Sequence, residues 1–329
     1  MSEQDLIDRP EPVRELHGLG ANAPALPLLR PSPQLDAHTR RTLAQMERAV
    51  VDKYHRIGQN QRWPYAAATF IGFALWVSFF PLTILGIVPL PVAFVISTIL
   101  ISGGWITGHE AMHSSIARTG SKWRWLNELT GTLAMIPLLF PFGMARISHL
   151  QHHKFTNDPL KDPDYPDTAP SLRAALFKVW LNRQPGKDNQ IHHFKHVMVN
   201  EIGTPESKAA VRNLMIAQLL GHLFFIGMAL SGYAMEVALV WWLPRWIALI
   251  HIHVFFGWEP HFPFKSTRRY EQARLYRSRV GNILAMGVEG HLVHHLYPHI
   301  PIHLTMAACR EMLPALEARG VDTSGLRRR

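Results

Sequence analysis

The sequence is poor in cysteine, with only Cys309 in 329 residues. A disulfide needs two thiols, so no bridge can form within the chain, and an iron–sulfur cluster held by several cysteines is excluded for the same reason. The Gly-x-Gly-x-x-Gly motif of dinucleotide sites and the Cys-x-x-Cys-His motif of c-type haem attachment are also missing. Any redox chemistry that this chain performs therefore needs electrons from another protein.

Charged residues are scarce as well, at 18% against 47% hydrophobic residues, and the apolar residues are collected in long runs. A bilayer core about 30 Å thick needs roughly 20 apolar residues for each helical span. Four runs approach or meet this length, namely 65–88, 89–107, 213–232 and 235–257. The sequence therefore predicts an all-α integral membrane protein with four transmembrane helices.

Histidine is abundant, and eight of the 20 histidines fall into three short clusters where apolar stretches meet polar ones. The clusters are His109 and His113; His149, His152 and His153; and His291, His294 and His295. Offsets of three and four place imidazoles on one helical face. In the two doublets of adjacent histidines, His152–His153 and His294–His295, the second ring points roughly 100° away from the first. A single cluster is compatible with interfacial or hydrogen-bonded histidines. Eight imidazoles exceed what one ion can use, and together they indicate two metals.

A fifth apolar segment, 126–145, is interrupted by Pro137, Pro141 and Gly143. If it crossed the bilayer, the second cluster would lie on the opposite side from the first. We therefore expect a re-entrant or interfacial segment, with four spans in two hairpins and all three clusters in a cap on one face. Basic residues flank that face, at positions such as Arg56, Arg62 and Lys154, so the positive-inside rule makes it cytoplasmic.

The net charge of +10 is compatible with nucleic-acid binding, but the charges flank apolar spans and lack interleaved aromatics. Anionic lipid headgroups and an acidic redox partner are better counterparts, and no nucleic-acid partner is expected. Residues 1–34 are proline-rich and are predicted to be a disordered leader, 35–310 the membrane domain, and 311–329 a basic tail. Within the domain, 36–54 has the composition of a surface helix.

Two other interpretations compete with a two-metal centre. The segment His109-Glu110-Ala111-Met112-His113 satisfies the His-Glu-x-x-His pattern of zinc peptidases, which favours a membrane zinc hydrolase but leaves the other clusters unexplained. A non-catalytic metal-binding or structural membrane protein is the second alternative. If the histidines bind metals, Asp158, Asp162 and Asp164 are candidate acceptors for imidazole N–H groups, although an Asx-Pro turn also explains them.

At the histidine clusters, the sequence resembles the membrane fatty acid desaturase superfamily over about residues 65–310. The three clusters match its three histidine boxes, and Tyr297-Pro298-His299-Ile300-Pro301 follows the third. The resemblance implies a four-span fold, a non-haem centre of two Fe²⁺ ions, O₂ as oxidant and a long lipid substrate. It also implies a further ligand some thirty residues before the third box, for which His261 stands at the right offset and His251 and His253 are competitors.

Within the superfamily, the segment from Phe255 to His261, Gln272-Ala273-Arg274 and Ser278-Arg279 look like bacterial carotenoid ketolases and hydroxylases. The segment after box two, Thr156-Asn157-Asp158-Pro159, instead looks like acyl-lipid desaturases. The resemblance therefore implies desaturation or hydroxylation of an acyl chain, with carotenoid-ring oxidation as the alternative. The implied electron donor is a ferredoxin or a cytochrome b5-like protein, and the implied location is a bacterial inner membrane.

Two further features call for an explanation. Arg245 stands within the fourth apolar run, where we expect its charge to lie near the far interface and to snorkel out of the bilayer. His192, His193 and His196 match no box and are expected on a solvated loop or surface helix.

Overall fold

The computed structural model describes residues 33–59, 61–181, 190–263 and 266–327, and this part of the chain contains helices and no β-strand. Nearly all of the predicted leader lies outside the described residues. The helices are α1 (Ala37–Gln59), α2 (Arg62–Ile84), α3 (Leu90–Met112), α4 (Arg124–Met135), α5 (Phe142–Phe155), α6 (Leu172–Leu181), α7 (Gln190–His196), α8 (Pro205–Leu230), α9 (Ala234–Trp258), α10 (His291–Leu296) and α11 (Ile302–Ala318).

The four predicted spans are confirmed as the long apolar helices α2, α3, α8 and α9, of 23 to 26 residues each. Proline marks two of their beginnings, because a missing backbone N–H costs nothing in the first turn of a helix. Pro91 stands in the first turn of α3, and Pro205 opens α8, where the Thr204 hydroxyl accepts a hydrogen bond from the Ser207 N–H at 3.2 Å. Helix α9 includes two π-helical stretches, Ala238–Trp242 and His253–Trp258.

The fifth apolar segment is broken into two halves. The first half runs from α4 through a 3₁₀ turn (Ile136–Leu138), the second is α5, and the angle between them is 96°. Leu139, in a left-handed conformation, ends the turn, and Pro141 precedes α5. The second half of the segment carries His149 to within 2.8 Å of His113, which follows the end of α3. The bend thus brings box two back to box one, as the prediction of a re-entrant segment requires.

The backbone of this bend is satisfied by side chains from the spans around it. Trp241 Nε1 donates to the Pro137 carbonyl at 2.8 Å, Arg245 Nε to that of Leu138 at 3.0 Å, and Gln218 Nε2 to that of Leu139 at 2.7 Å. Non-helical backbone within a membrane is tolerated only where protein groups satisfy it. The expectation that Arg245 snorkels is therefore wrong, because its side chain is buried and serves this bend.

Close packing across the bend predicts a specific sensitivity at Gly131. A Cβ atom there would lie 2.2 Å from Cζ of Phe142 on α5. We expect Gly131→Ala to lower the free energy of unfolding by roughly 1–3 kcal/mol through overpacking. Thermal unfolding in detergent measures the change. Gly103→Ala is the matched control, since a Cβ atom at that helical glycine meets nothing within 4 Å; equal unfolding temperatures for the two variants would contradict the prediction.

The helices α1, α10 and α11, together called the cap here, share a hydrophobic core of their own. Helix α1 extends further than the predicted 36–54. Glu47 on α1 is buried and accepts hydrogen bonds from Arg319 Nε at 2.6 Å and from the Tyr297 hydroxyl at 2.7 Å, which joins the cap to the end of box three. The boundary predicted at residue 310 lies inside α11, where Cys309 and Met312 are both buried.

Candidate metal centre

Nine histidines from four parts of the chain converge at one place, where the ends of α3 and α9 meet α5 and α10. Eight of them are buried and His153 is half-buried. They are His109, His113, His149, His152, His153, His261, His291, His294 and His295. Each presents its Nε2 atom to another histidine, so the eight histidines of the three boxes and His261 all lie in one cluster.

The Nε2 atoms form two groups. In the first, successive Nε2 atoms are separated by 2.8 Å from His113 to His149, 3.1 Å from His149 to His153, 3.1 Å from His153 to His294 and 3.1 Å from His294 to His109. In the second, they are separated by 3.2 Å from His152 to His261, 3.1 Å from His261 to His291 and 3.1 Å from His291 to His295. Each pair of adjacent histidines is therefore divided, with His153 and His294 in the first group and His152 and His295 in the second.

Hydrogen bonding between the rings cannot explain these distances. A ring nitrogen has one N–H or one lone pair in the ring plane, so His153 Nε2 cannot bond both neighbours that lie 3.1 Å away. Imidazole nitrogens bind ions such as Zn²⁺ at about 2.0–2.1 Å, and two ligands at right angles around such an ion lie about 3 Å apart. The observed separations fit lone pairs that converge on metal ions.

The outward nitrogens of three rings are held by neighbouring polar groups. His152 Nδ1 donates to Asp162 Oδ1 at 2.9 Å, His261 Nδ1 to the Gln272 carbonyl at 3.2 Å, and His295 Nδ1 to the Thr156 hydroxyl at 3.2 Å. Such contacts select the tautomer whose Nε2 lone pair is directed inward. Of the predicted carboxylates Asp162 makes this contact, whereas Asp158 accepts from the N–H groups that follow it and forms a turn.

Sequence reasoning missed Gln272 and Thr156 as partners of the histidines. Thr156 carried a local signal, because it stands one helical turn after His152 and its hydroxyl donates to the His152 carbonyl at 2.8 Å. Gln272 acts through its backbone carbonyl and is far from the clusters in sequence, so its residue type carried no signal.

Glu110 lies beside His109 but is directed at another part of the chain. Its Oε1 atom accepts a hydrogen bond from the Ile302 N–H at 2.9 Å and lies 3.5 Å from His109 Nδ1. The carboxylate therefore caps the first turn of α11 and ties box one to the helix that follows box three. This position differs from that of a general base, so the zinc-peptidase interpretation of the motif loses its catalytic residue.

The protonation states of box three also suit ligation. Burial, together with the charges of the surrounding histidines, holds the pKa of His291, His294 and His295 well below the usual range for imidazole. The same causes, with His152 as the neighbouring charge, lower the pKa of His261. The lowered pKa values favour the neutral form of these four rings, which is the form that binds metals.

The remaining candidate histidines do not join the cluster. His253 Nδ1 is 3.2 Å from Asp167 Oδ2, and His251 Nε2 donates to the Leu284 carbonyl at 2.6 Å. Between these two and His261, the structure brings only His261 to the other rings. His193 donates to the Asp162 carbonyl at 2.7 Å, so this member of the unmatched set is not purely solvated.

A profile of the fatty acid desaturase family matches residues 85–324, which include all nine histidines. The chain belongs to the fatty acid desaturase family. The resemblance stated from the histidine boxes is thereby confirmed, and the chain is a membrane protein of a family of lipid oxidoreductases. The histidine cluster of this family member groups side chains that could hold metal ions.

Two relatives of this desaturase family member illustrate the similarity. An omega-6 fatty acid desaturase of chloroplasts from Spinacia oleracea is 26% identical over 247 residues, 67% of this chain and 52% of the relative. An sn-1 oleoyl-lipid 12-desaturase from Anabaena variabilis is 22% identical over 267 residues, 74% of either chain. The chain thus spans about half the length of the chloroplast relative. Both names specify acyl chains, so they lend no support to the likeness to carotenoid ketolases.

Proposed function

We propose that this protein is an O₂-dependent di-iron acyl-lipid desaturase. The observation that carries the proposal is the convergence of nine Nε2 atoms in two adjacent groups at the ends of the membrane helices. In this proposal the five histidines of the first group hold one Fe²⁺ and the four of the second group hold the other. Iron rather than zinc is proposed because the ligands are all imidazoles in a desaturase family member, whereas zinc sites commonly use three or four protein ligands.

Two iron ions bound there supply the activation of O₂ and the oxidation of an unactivated C–H bond. The protein's own groups prepare the site. Asp162, Thr156 and the Gln272 carbonyl orient three of the rings, and burial of the cluster restricts the access of water. Glu110 holds α11 in place beside box one.

An apolar cavity offers room for the hydrocarbon part of the substrate. Its volume is about 890 Å³, and it lies between α2, α8 and the bend from α4 to α5. Phe142, at the beginning of the helix that carries box two, contributes to its wall together with Phe73, Trp76 and Phe224. We propose an acyl chain as the occupant, because aromatic and aliphatic side chains dominate the lining and the relatives are named for acyl substrates.

The proposal also includes an external electron donor and the orientation of the protein in the membrane. The described chain has no cysteine set or nucleotide motif to hold a second redox group, so an external donor such as a ferredoxin or a cytochrome b5-like protein is required. Exposed basic residues near box one, including Arg118 and Lys122, would attract an acidic donor. We place this face in the cytoplasm of a bacterium, with the spans in the inner membrane.

The proposal is tested by metal content and by product analysis in cells. Protein purified after iron loading is expected to contain about two irons per chain, whereas one zinc would support the hydrolase alternative.

Expression in a host that makes β-carotene, with extraction of fatty acids and pigments together, is expected to yield new double bonds in acyl chains. Oxygenated pigments with unchanged acyl chains would transfer the proposal to carotenoids, and no change in either would overturn it.

A further inference from the structure

Two short elements outside the spans carry large apolar side chains that are largely exposed. The first is the outer face of α6, formed by Leu172, Leu176, Phe177, Trp180 and Leu181, whose side chains are 43–59% exposed. The opposite side of this helix, with Ala175 and Val179, is buried. Both sides of α6 are thus mainly apolar, since Lys178 donates to the Pro166 carbonyl at 3.2 Å and Arg173 is the one exposed charge on the outer face. The other outer side chains are apolar and point away from the protein.

The second element is the apolar loop, residues 280–284, which lies shortly before box three. Ile283 is 92% exposed, and Leu284 and Val280 are 57% and 47% exposed. The loop is held by backbone hydrogen bonds from Ala285 to Gly281 at 3.0 Å and from Gly287 to Asn282 at 2.8 Å. Three exposed apolar side chains close together form a patch of the kind that marks a protein or membrane interaction site.

Both elements are fixed to the same end of span α9, which sets their depth. Helix α6 packs through Ala175 in one cluster with Val254 and Trp258, the last turns of the span. The apolar loop is joined to His251, whose Nε2 donates to the Leu284 carbonyl at 2.6 Å. The span has 25 residues and is about 37 Å long, somewhat more than the roughly 30 Å of the hydrocarbon core.

His251 stands seven residues before the end of the span, roughly 10 Å below Trp258 along the helix axis. With the hydrocarbon core centred on the 25-residue span, the apolar loop is level with the outer part of the core and α6 is level with its boundary. The composition agrees with these depths, because Trp180 and Phe177 are residue types enriched at the interface. Arg277 and Arg279, exposed beside the loop, would reach the phosphate level.

We propose that the outer face of α6 and the apolar loop insert into the bilayer leaflet next to the histidine cluster, with the loop deeper than α6. The occupant of both surfaces is membrane lipid rather than another protein. Box three then follows directly on a segment anchored in lipid, since only six residues separate Leu284 from His291. This inference does not depend on the identity of the metal or on the reaction.

Spin labels in proteoliposomes test the proposal. The parent chain, whose only cysteine is the buried Cys309, provides the unlabelled background. A nitroxide is attached in the variants Ile283→Cys and Phe177→Cys, in vesicles of phosphatidylcholine and phosphatidylglycerol. Collision with O₂, which concentrates in lipid, is compared with collision with a water-soluble nickel chelate. The control is Glu317→Cys, at an exposed charged position of α11.

The ratio of O₂ to nickel collisions is expected to be several times higher at position 283 than at position 317, with position 177 in between. A ratio at 283 equal to that at 317 would place the loop in water and overturn the proposal. Low collision rates with both reagents would also overturn it, because they would show that protein covers the surface. The readout needs no bound metal, so its failure is distinguishable from a failure of the proposed function.

Discussion

Replacing His294 with alanine is expected to abolish desaturation and to leave at most about one tightly bound iron per chain. His294 is fully buried, and its Nε2 lies 3.1 Å from those of both His109 and His153, so it links box one to box two within the first group. Changes to groups that merely orient a ligand cost 10–100-fold in metal affinity or activity. Loss of a ligand itself should therefore lower turnover by more than about 100-fold.

Iron content by elemental analysis and desaturation by gas chromatography of fatty acids measure the effect of His294→Ala. The control is His222→Ala, at an exposed histidine of α8 whose Nδ1 bonds to the Gln218 carbonyl of the same helix at 2.6 Å and whose ring packs against Trp242. The control variant should retain both irons and full activity. Two irons and normal turnover in His294→Ala would show that this histidine is not a ligand. Circular dichroism establishes that both variants are folded.

Asp162→Asn is expected to weaken iron binding at the second group by roughly 10–100-fold. One Asp162 oxygen accepts from His152 Nδ1 at 2.9 Å and the other from the Asn157 N–H at 2.7 Å. An asparagine of the same size keeps one acceptor and turns an NH₂ group towards the other donor. Either the His152 ring or the turn at Asn157 then loses its partner, and in both cases the ring loses the negative charge that holds it with Nε2 facing inward.

Titration with ferrous iron against a competing chelator measures this loss. Asp158→Asn is the matched control, because Asp158 is in the same loop but accepts only from the N–H groups of Leu160 and Lys161, at 2.9 and 3.1 Å. The control should bind iron as the parent does. Equal affinity for the Asp162 variant would mean that this carboxylate does not support the ligand, whatever the distance between the two groups.

Local sequence patterns were sufficient to predict the spans and the positions of the ligand candidates. A membrane helix must satisfy its backbone within itself, so about 20 consecutive apolar residues define it without reference to the rest of the chain. The different directions of the two rings in each pair of adjacent histidines were equally predictable, because adjacent residues on a helix point roughly 100° apart. The structure divides His152 from His153 and His294 from His295 in this way.

Contacts between distant parts of the chain were not readable in this way. The role of Arg245 as a donor to the Leu138 carbonyl depends on a bend over 100 residues earlier, and its charge alone pointed to the interface. Glu110 looked like part of a zinc motif, but it caps the first turn of α11, 192 residues later. In both cases the partner is a backbone group, which has no residue-type signature.

The membrane class, the four spans and the three histidine boxes thus follow from the order of residues, because hydrophobic length and helical periodicity are local properties. The choice of His261 over His251 and His253, the division of nine rings into groups of five and four, and the support from Asp162 and Gln272 depend on how the helices pack. Packing brings together His109 and His294, which are 185 positions apart, and the distance of 3.1 Å between their nitrogens is set by all the elements between them.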